Sequence, residues 1–285
     1  DDIIGVGRAI GRARGHAGRI LHLVDVVTTH AHDLDHIDNS HTATDLSDGG
    51  IVVSVEGVSV SVPCETPSGA TTMSPILSDI EFRLSKGQRL VIHGPNGVGK
   101  SSLLRCVRGV WPVSAGRIVA PPTDKMFFLT AESRLLPASV RATVRDQLCY
   151  PNAPLTPDHP GFAEQTQRLT ELMGWVGLDE RFTSLDEMCG GRDEVSNGEA
   201  QRMGVVRLLL AIDAGAELAV LDEATSNMSR DLEDKVFARL ARSGVTVITV
   251  THQPRLDPFH HRVLTLAGQM GQHTMALSPT TTPSD

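Results

Sequence analysis

The hydrophobic pattern of the chain changes near residue 50. Residues 3–29 carry spaced apolar side chains among arginines and glycines, which predicts a helix packed closely against another helix. Residues 30–50 are polar and rich in His and Asp, which favours a solvated linker, with a metal site as the alternative. From residue 51 onward, apolar runs of strand length recur between polar turns, as expected for a folded domain.

Short apolar runs after this change predict β-strands. The runs at 51–55 and 58–62 are interpreted as two strands, and residues 64–75 as a polar excursion. Later strands are predicted at 76–84, 89–93, 126–129, 218–221 and 245–250. Residues 101–110 carry a helical pattern, and residues 132–212 are interpreted as mostly helices and loops.

One motif carries specific chemistry, because it lies between a predicted strand and a predicted helix. It fits the pattern G-x-x-x-x-G-K-[ST] and reads Gly94-Pro95-Asn96-Gly97-Val98-Gly99-Lys100-Ser101. In such a loop, backbone N–H groups converge on phosphate oxygens, and the positive end of the following helix points at the same anion. We expect Lys100 to reach the β- and γ-phosphates, Ser101 to ligate Mg²⁺ and Ser102 to join the ATP-binding residues.

Acidic residues and a histidine follow two later apolar strands. Asp222 ends the run at 218–221 and is expected to hold Mg²⁺, while the next residue, Glu223, is placed to polarise an attacking water. His252 follows the run at 245–250, where ligands gather in parallel sheets, and is expected to contact the γ-phosphate and help align the water.

A second turn of small residues opens another predicted helix. Residues 195–202 read V-S-N-G-E-A-Q-R. Ser196 and Gly198 lie at the helix N-terminus, which is a further candidate anion site.

In this order the motifs resemble the nucleotide-binding domain of ABC ATPases: the phosphate loop at 94–101, the signature at 195–199, the acidic strand at 218–223, and His252. The resemblance implies an α/β fold, with a P-loop NTPase (RecA-like) core, an antiparallel β subdomain and a helical subdomain at about 132–204. It assigns residues 51–272 to the ATPase domain. The tail, residues 273–285, is expected to be disordered.

A narrower resemblance is to subfamily D, the peroxisomal-type fatty-acyl half-transporters and their bacterial relatives. It is carried by Gly-Val-Trp-Pro at 109–112, the strand at 126–129 and the segments at 142–151 and 15–20. It implies that residues 1–29 are a helix leading out of a membrane-spanning domain upstream of Asp1. A peroxisomal, plastid or bacterial inner membrane would fit, with the ATPase domain facing the cytosol.

The resemblance also implies a mechanism and a partner. A second ABC ATPase domain, in a homodimer or a heterodimer, packs head to tail so that each ATP is sandwiched between two chains. The signature residues would then act in trans, and these are Ser196, Asn197, Gly198 and Glu199. Glu223 would be the general base of ATP hydrolysis coupled to transport, assisted by His252.

Three positions depart from the family pattern. Thr130-Ala131 stands where a glutamine is expected, Asn197 stands in place of a signature glycine, and Val62-Pro63 occupies the place of an adenine-stacking aromatic residue. The last departure predicts weak or apolar base recognition and leaves GTP open as a ligand. The missing glutamine makes turnover, rather than ATP binding, the property in question.

Net charge and cysteine spacing limit the classes of function that the chain can have. The 285 residues carry a formal net charge of −8, which argues against a nucleic-acid partner. The four cysteines show no paired metal-ligand spacing. Two alternatives to a transporter ATPase remain: a regulatory or structural ABC subunit with impaired hydrolysis, and a soluble ABC ATPase outside transport.

Overall fold

Two β-sheets and the helices around them form the structure, a computed structural model that describes residues 50–65, 71–190, 194–269 and 272–279. Internal contacts divide the chain into residues 1–40 and 41–285, and every described residue belongs to the second unit. The helix predicted at 1–29 and the linker predicted at 30–50 therefore lie outside the described residues, apart from Gly50.

The strands, in chain order, are β1 (Ile51–Glu65), β2 (Thr71–Ser85), β3 (Arg89–His93), β4 (Ala115–Val119), β5 (Met126–Thr130), β6 (Leu218–Asp222), β7 (Thr246–Val250), β8 (Arg262–Gln269) and β9 (Gln272–Pro279). The helices are α1 (Lys100–Val107), α2 (Val144–Cys149), α3 (Phe162–Trp175), α4 (Asn197–Asp213) and α5 (Arg230–Ser243). Short 3₁₀ helices lie at Thr123–Lys125, Ala138–Val140 and Pro254–Phe259.

The larger sheet has the order β5-β6-β7-β3-β8-β9 and is parallel except for β9. Its central strands are almost continuous apolar runs because both faces of the sheet are covered. Leu218 and Val220 belong to a hydrophobic cluster with α1 and the smaller sheet, whereas Ala219 and Leu221 belong to a cluster with the other helices. This alternation along β6 is the period of two that a strand imposes.

The carboxyl ends of four strands meet at one edge of this sheet. Thr130 pairs with Asp222, and Val250 pairs with both Asp222 and Ile92. The segments that leave β3, β5, β6 and β7 therefore start side by side. Ligands gather at this edge in open parallel sheets.

The smaller sheet, with the order β2-β1-β4, is antiparallel. The two strands predicted at 51–55 and 58–62 are one strand, β1, whose register shifts between Val55 and Val58. Gly57 lies at this irregularity with a φ of 58°, and such bulges let one strand continue through a bend. The polar excursion predicted at 64–75 is also wrong in part, because β2 begins at Thr71 and pairs with β1.

The region between β5 and β6 is helical, with buried side chains on α3 and α4 packed into one cluster. The boundary predicted for the helical subdomain, at 204, falls inside α4, which continues to Asp213. Within the described part of the chain, no helix combines the length and the apolar character needed to cross a bilayer.

The disordered tail predicted for 273–285 is wrong as far as Pro279. Residues Gln272–Pro279 form β9, which pairs with β8 along its whole length. The tail is rich in Ser, Thr and Pro, which is why its composition predicted disorder. The strand forms because β8 has backbone N–H and C=O groups available for pairing, and composition does not reveal such pairing. Residues 280–285 lie outside the described part.

A buried histidine makes the stability of this fold dependent on pH. His260 is fully buried; its Nδ1 donates to the Leu256 carbonyl at 2.9 Å, and its Nε2 accepts from the Thr249 hydroxyl at 2.8 Å. Burial, with a smaller effect from the positive charge of Arg89, lowers the pKa of His260 from 6.5 to about 4. The ring is therefore neutral in the folded state near neutral pH.

Acidification from pH 6.5 to about 4 is expected to destabilise the protein through His260. Over this range the unfolded chain binds a proton that the folded chain does not, so the free energy of unfolding falls, by up to about 3 kcal/mol. Urea midpoints measured across this range should fall less steeply for His260→Gln than for the wild type. Equal slopes for the two proteins would contradict the assignment.

Candidate functional site

The phosphate-loop sequence forms a tight turn between β3 and α1, and two of its glycines are required by the backbone. Gly94 and Gly99 have φ values of 156° and 103°, which L side chains rarely adopt. A Cβ at Gly94 would lie 2.6 Å from the carbonyl oxygen of Leu266, and one at Gly99 would lie 2.9 Å from the side chain of Leu77. Neighbouring structure therefore permits only glycine at both positions.

Lys100 opens α1 and is almost fully buried. Its ammonium donates to the carbonyl oxygens of Gly94 at 2.8 Å and Pro95 at 3.0 Å, so it lies over the turn that precedes it. Burial lowers the pKa of Lys100, while the nearby carboxylates of Glu223 and Asp222 raise it. A cation held in this way can bind an anion that enters the loop.

Ser101 and Asp222 come together although they are 121 residues apart in the sequence, and the Ser101 hydroxyl donates to the Asp222 carboxylate at 2.9 Å. Burial raises the pKa of Asp222, and the hydroxyl partly offsets this effect. A hydroxyl and a carboxylate side by side are hard oxygen donors of the kind Mg²⁺ prefers beside a bound phosphate. The residues present therefore fit a magnesium ion.

Glu223 and His252 also come together at this edge. Oε1 of Glu223 lies 3.1 Å from Nε2 of His252, and both side chains are partly exposed. Glu223 has a φ of 52°, an uncommon backbone conformation for a residue with a side chain. Its N–H donates to the carbonyl oxygen of Val250 at 3.0 Å, so pairing with the neighbouring strand end fixes this conformation.

A depression of about 420 Å³ lies over the loop. It is lined by Val62, Ile76, Asn96, Gly97, Gly99, Lys100, Ser101, Ser102 and Glu223. Val62 and Ile76 come from the antiparallel sheet and make one side of the depression apolar. Val62 is one of the two residues found in the place of an adenine-stacking aromatic residue, so this side offers aliphatic contact instead of a ring.

The signature residues lie elsewhere. Ser196 is the N-cap of α4, and its N–H and hydroxyl each donate to the Glu199 carboxylate at 2.8 Å. Asn197 is the first residue of the helix, and a Cβ at Gly198 would lie 3.1 Å from the carbonyl oxygen of Asn227. Among the residues that the structure describes, these four are not part of the lining of the depression.

Thr130 and Ala131 occupy the place of the expected glutamine, beside Asp222. The N–H of Ala131 donates to the carbonyl oxygen of Asp222 at 2.8 Å, and the Thr130 hydroxyl donates to the carbonyl oxygen of Glu132 at 2.9 Å. Neither side chain can replace the reach of a glutamine amide.

Sequence reasoning missed two residues that hold this edge together. Nε2 of His93 lies 2.6 Å from the Asp257 carboxylate, and Nδ1 lies 2.9 Å from the carbonyl oxygen of Thr251, so His93 joins the start of the phosphate loop to the segment that carries His252. Gln201 on α4 contacts the loops after β5 and after Glu223. The sequence did contain one indication of the role of Gln201, because it is a polar residue on a helix face that is otherwise buried.

The protein-family model described as "ABC transporter" matches residues 77–226, just over half of the chain. The mouse protein named ATP-binding cassette sub-family D member 3 is 30% identical over 290 residues, covering 94% of this chain and 41% of that protein. ABC transporter D family member 1 of Arabidopsis thaliana is 33% identical over 272 residues, covering 93% of this chain and 19% of that protein. The chain thus spans less than half the length of these relatives.

A solved structure shares the fold. The structure of a bacterial Atm1-family ABC exporter with ATP bound superposes with a TM-score of 0.59 and 20% sequence identity, covering 78% of this chain and 38% of that one. At 20% identity, this similarity shows that the two proteins share the arrangement of sheets and helices.

Proposed function

This chain belongs to the ABC transporter family, and from that premise we propose that it binds ATP with Mg²⁺ and hydrolyses it as the ATPase part of a membrane transporter. The observation that carries the proposal is that Lys100, Ser101 and Glu223 line one depression while Asp222 accepts a hydrogen bond from Ser101 beside it. Lys100 and Ser101 open α1 after the loop that follows β3, whereas Asp222 and Glu223 lie at the end of β6, and Ser101 and Asp222 are 121 residues apart in the sequence. Phosphate, metal and water chemistry would therefore take place at one edge of the sheet.

The loop supports binding of the triphosphate. Backbone N–H groups of such a loop and the N-terminus of α1 would favour anionic oxygens, because amide groups and the helix dipole both attract negative charge. Lys100 would exchange its carbonyl partners for the β- and γ-phosphates. Val62 and Ile76 would contact the base by apolar packing, which explains why base recognition should be weak.

Ser101 and Asp222 would hold the magnesium ion, with Asp222 acting through water. When bound, the ion neutralises phosphate charge and orients the γ-phosphate.

Glu223 is proposed as the general base. Its carboxylate would take the proton of a water molecule as the water oxygen bonds to the γ-phosphorus and the bond to the β-phosphate oxygen breaks. His252, 3.1 Å from that carboxylate, would hold Glu223 and the γ-phosphate in line. The left-handed backbone at Glu223 supports this role, because strained residues concentrate at functional sites.

The signature is proposed to act on the ATP of a second chain. Ser196, Asn197, Gly198 and Glu199 begin a 17-residue helix, whose N-terminus favours an anion. They do not line the depression of their own chain, which supports a contact with the phosphate held by a partner, in a homodimer or a heterodimer.

The transport role rests on the relatives. Two of them are subfamily D members that are longer than this chain, which covers 41% and 19% of their lengths. We propose that the ATPase domain faces the cytosol, where ATP is available, and acts on a membrane-spanning domain. Peroxisomal, plastid and bacterial inner membranes are the candidate locations.

A second candidate function is favoured by one observation. Thr130-Ala131 replaces the glutamine expected beside Asp222, which favours a regulatory subunit that binds ATP and hydrolyses it poorly. The two candidates differ in whether the chain releases phosphate from ATP.

Mixing two inactive variants tests the shared site. Lys100→Ala should bind ATP about 100-fold more weakly, and Ser196→Arg should block the signature. At an ATP concentration too low to saturate Lys100→Ala, either variant alone should therefore release almost no phosphate. A dimer containing one chain of each restores one intact site. An equal mixture should therefore recover about a quarter of wild-type activity, since half of the dimers are mixed and each has one of two sites.

Each other outcome decides a different part of the proposal. Active wild-type protein with an inactive mixture would contradict action in trans. Activity of Ser196→Arg alone would also contradict it. Wild-type protein that binds ATP and releases no phosphate would contradict hydrolysis and favour the regulatory subunit.

A further inference from the structure

Gln201 lies at the centre of a hydrogen-bond network that links the signature helix to both acidic residues of the site. Its side chain is fully buried on α4. The Nε2 amide donates to the carbonyl oxygen of Ala131 at 3.0 Å and to the hydroxyl of Ser226 at 3.3 Å. Its Oε1 accepts from the N–H of Asn227 at 2.9 Å.

These partners lie on the two segments that flank Asp222 and Glu223. Ala131 also donates its N–H to the carbonyl oxygen of Asp222 at 2.8 Å. Asn227 follows Glu223 by four residues in a tight turn, in which the N–H of Ser226 lies 3.4 Å from the carbonyl oxygen of Glu223. Gln201 therefore holds the segment beside Asp222 and the segment after Glu223 at the same time.

The helix that carries Gln201 packs tightly against the same two segments. A Cβ at Gly204, on α4, would lie 2.5 Å from Leu129 and 2.6 Å from the Ser133 hydroxyl. A Cβ at Gly198 would lie 3.1 Å from the carbonyl oxygen of Asn227. The close approach on both sides leaves the amide of Gln201 little room to move to other partners.

We infer that Gln201 is a positioning residue for ATP hydrolysis, which fixes Glu223 and Asp222 relative to the signature helix; this rests on the proposed function. Two of its three partners are backbone groups, so the link does not depend on which side chain stands at position 131. In this chain Ala131 stands in place of the expected glutamine, and Gln201 holds the segment around Ala131 by donating to the Ala131 carbonyl oxygen.

The effect should fall on turnover and spare ATP binding, because Gln201 does not line the depression or contact the phosphate loop among the described residues. Gln201→Met keeps the length of the side chain and removes its hydrogen bonds. The variant should lower kcat about 10- to 100-fold, the size expected when catalytic groups shift by up to an ångström. The affinity for ATP should stay within about threefold of the wild type, because the substitution leaves the residues that line the depression unchanged.

A matched control is available on another helix. Gln147 on α2 is also fully buried, and its side chain donates to and accepts from the backbone of Leu136, each at 2.9 Å. The Oε1 of Gln147 also accepts from Arg207 at 3.4 Å, so Gln147→Met, like Gln201→Met, removes three hydrogen bonds. Gln147 does not contact the segments next to Asp222 or Glu223 among the described residues. The loss of thermal stability in Gln147→Met should match that of Gln201→Met, and its kcat should remain near wild type.

A second readout does not depend on hydrolysis. Amide hydrogen exchange, measured in the full chain without nucleotide, should rise at Asn227 and around Ala131 in Gln201→Met. In Gln147→Met it should rise around Leu136 instead. Gln201→Ala serves as the second substitution if the methionine variant does not fold.

The outcomes separate the inference from the proposed function. If the wild type hydrolyses ATP and Gln201→Met keeps wild-type kcat, the inference fails while the proposed function stands. Equal losses of kcat in both methionine variants would reduce Gln201 to a structural residue. If the wild type releases no phosphate, the proposed function fails, and unchanged exchange at Asn227 would overturn the positioning role as well.

Discussion

Lys100→Ala is expected to weaken ATP binding by about 100-fold, because truncating one member of a buried charge pair costs about 3 kcal/mol. The ammonium is almost fully buried and lies 2.8 Å and 3.0 Å from the carbonyl oxygens of Gly94 and Pro95. It is therefore already held over the turn where the phosphates would enter. Alanine would leave the triphosphate charge to the backbone amides and the magnesium ion.

Titration with a fluorescent ATP analogue in Mg²⁺ measures this loss. Lys235→Ala is the matched control, because Lys235 is exposed on α5, and its affinity should equal that of the wild type. Thermal melting of Lys100→Ala should confirm a folded protein. Wild-type affinity in a folded Lys100→Ala would show that nucleotide binds somewhere other than the loop.

Glu223→Gln is expected to lower kcat by at least about 100-fold while ATP remains bound, since removing a positioned general base typically costs about 10²- to 10⁴-fold. The amide keeps the size of the side chain and its place 3.1 Å from His252, but it cannot accept a proton from water. The release of inorganic phosphate under saturating ATP measures the change.

The other end of the same strand supplies a control for this substitution. Glu217 immediately precedes β6 and lies at the opposite edge of the sheet from Glu223. Glu217→Gln removes the same charge, and kcat should be unchanged. Comparable kcat in wild type and Glu223→Gln would exclude Glu223 as the base.

The strands at the centre of the sheet were predictable from the sequence because they are local signals. The runs that became β3, β5, β6 and β7 each contain three or four apolar residues out of five, which is typical of a strand buried on both faces. The motifs of the site follow these strands directly. Once these strands pair in parallel, their carboxyl ends lie side by side, so the motifs that follow them also lie close together.

The edges of the sheets were not predictable in the same way. β9 lies in a polar, Pro-containing segment, and it is a strand because β8 offers it open backbone groups. The sequence analysis predicted two strands where the structure has the single strand β1. The shift in register near Gly57 interrupts the alternation of apolar and polar side chains, and in the sequence such an interruption looks like a turn.

The contacts of Gln201 were also beyond the sequence. Its partners Ala131 and Asn227 are 70 and 26 residues away and bond through backbone groups, which carry no residue-specific signal. The missing glutamine at 130–131 was visible in the sequence, but only the packing of α4 shows what contacts that segment instead.

If ATP is bound between two chains and hydrolysed there, dimerisation should depend on ATP, and sedimentation of Glu223→Gln measures this dependence. With hydrolysis blocked, ATP should remain as the bridge between the chains and shift the equilibrium toward the dimer. We expect a monomer without nucleotide, a dimer with ATP and Mg²⁺, and a monomer again when Ser196→Arg is added to Glu223→Gln. A Glu223→Gln chain that is saturated with ATP and still sediments as a monomer would contradict the binding of ATP between two chains.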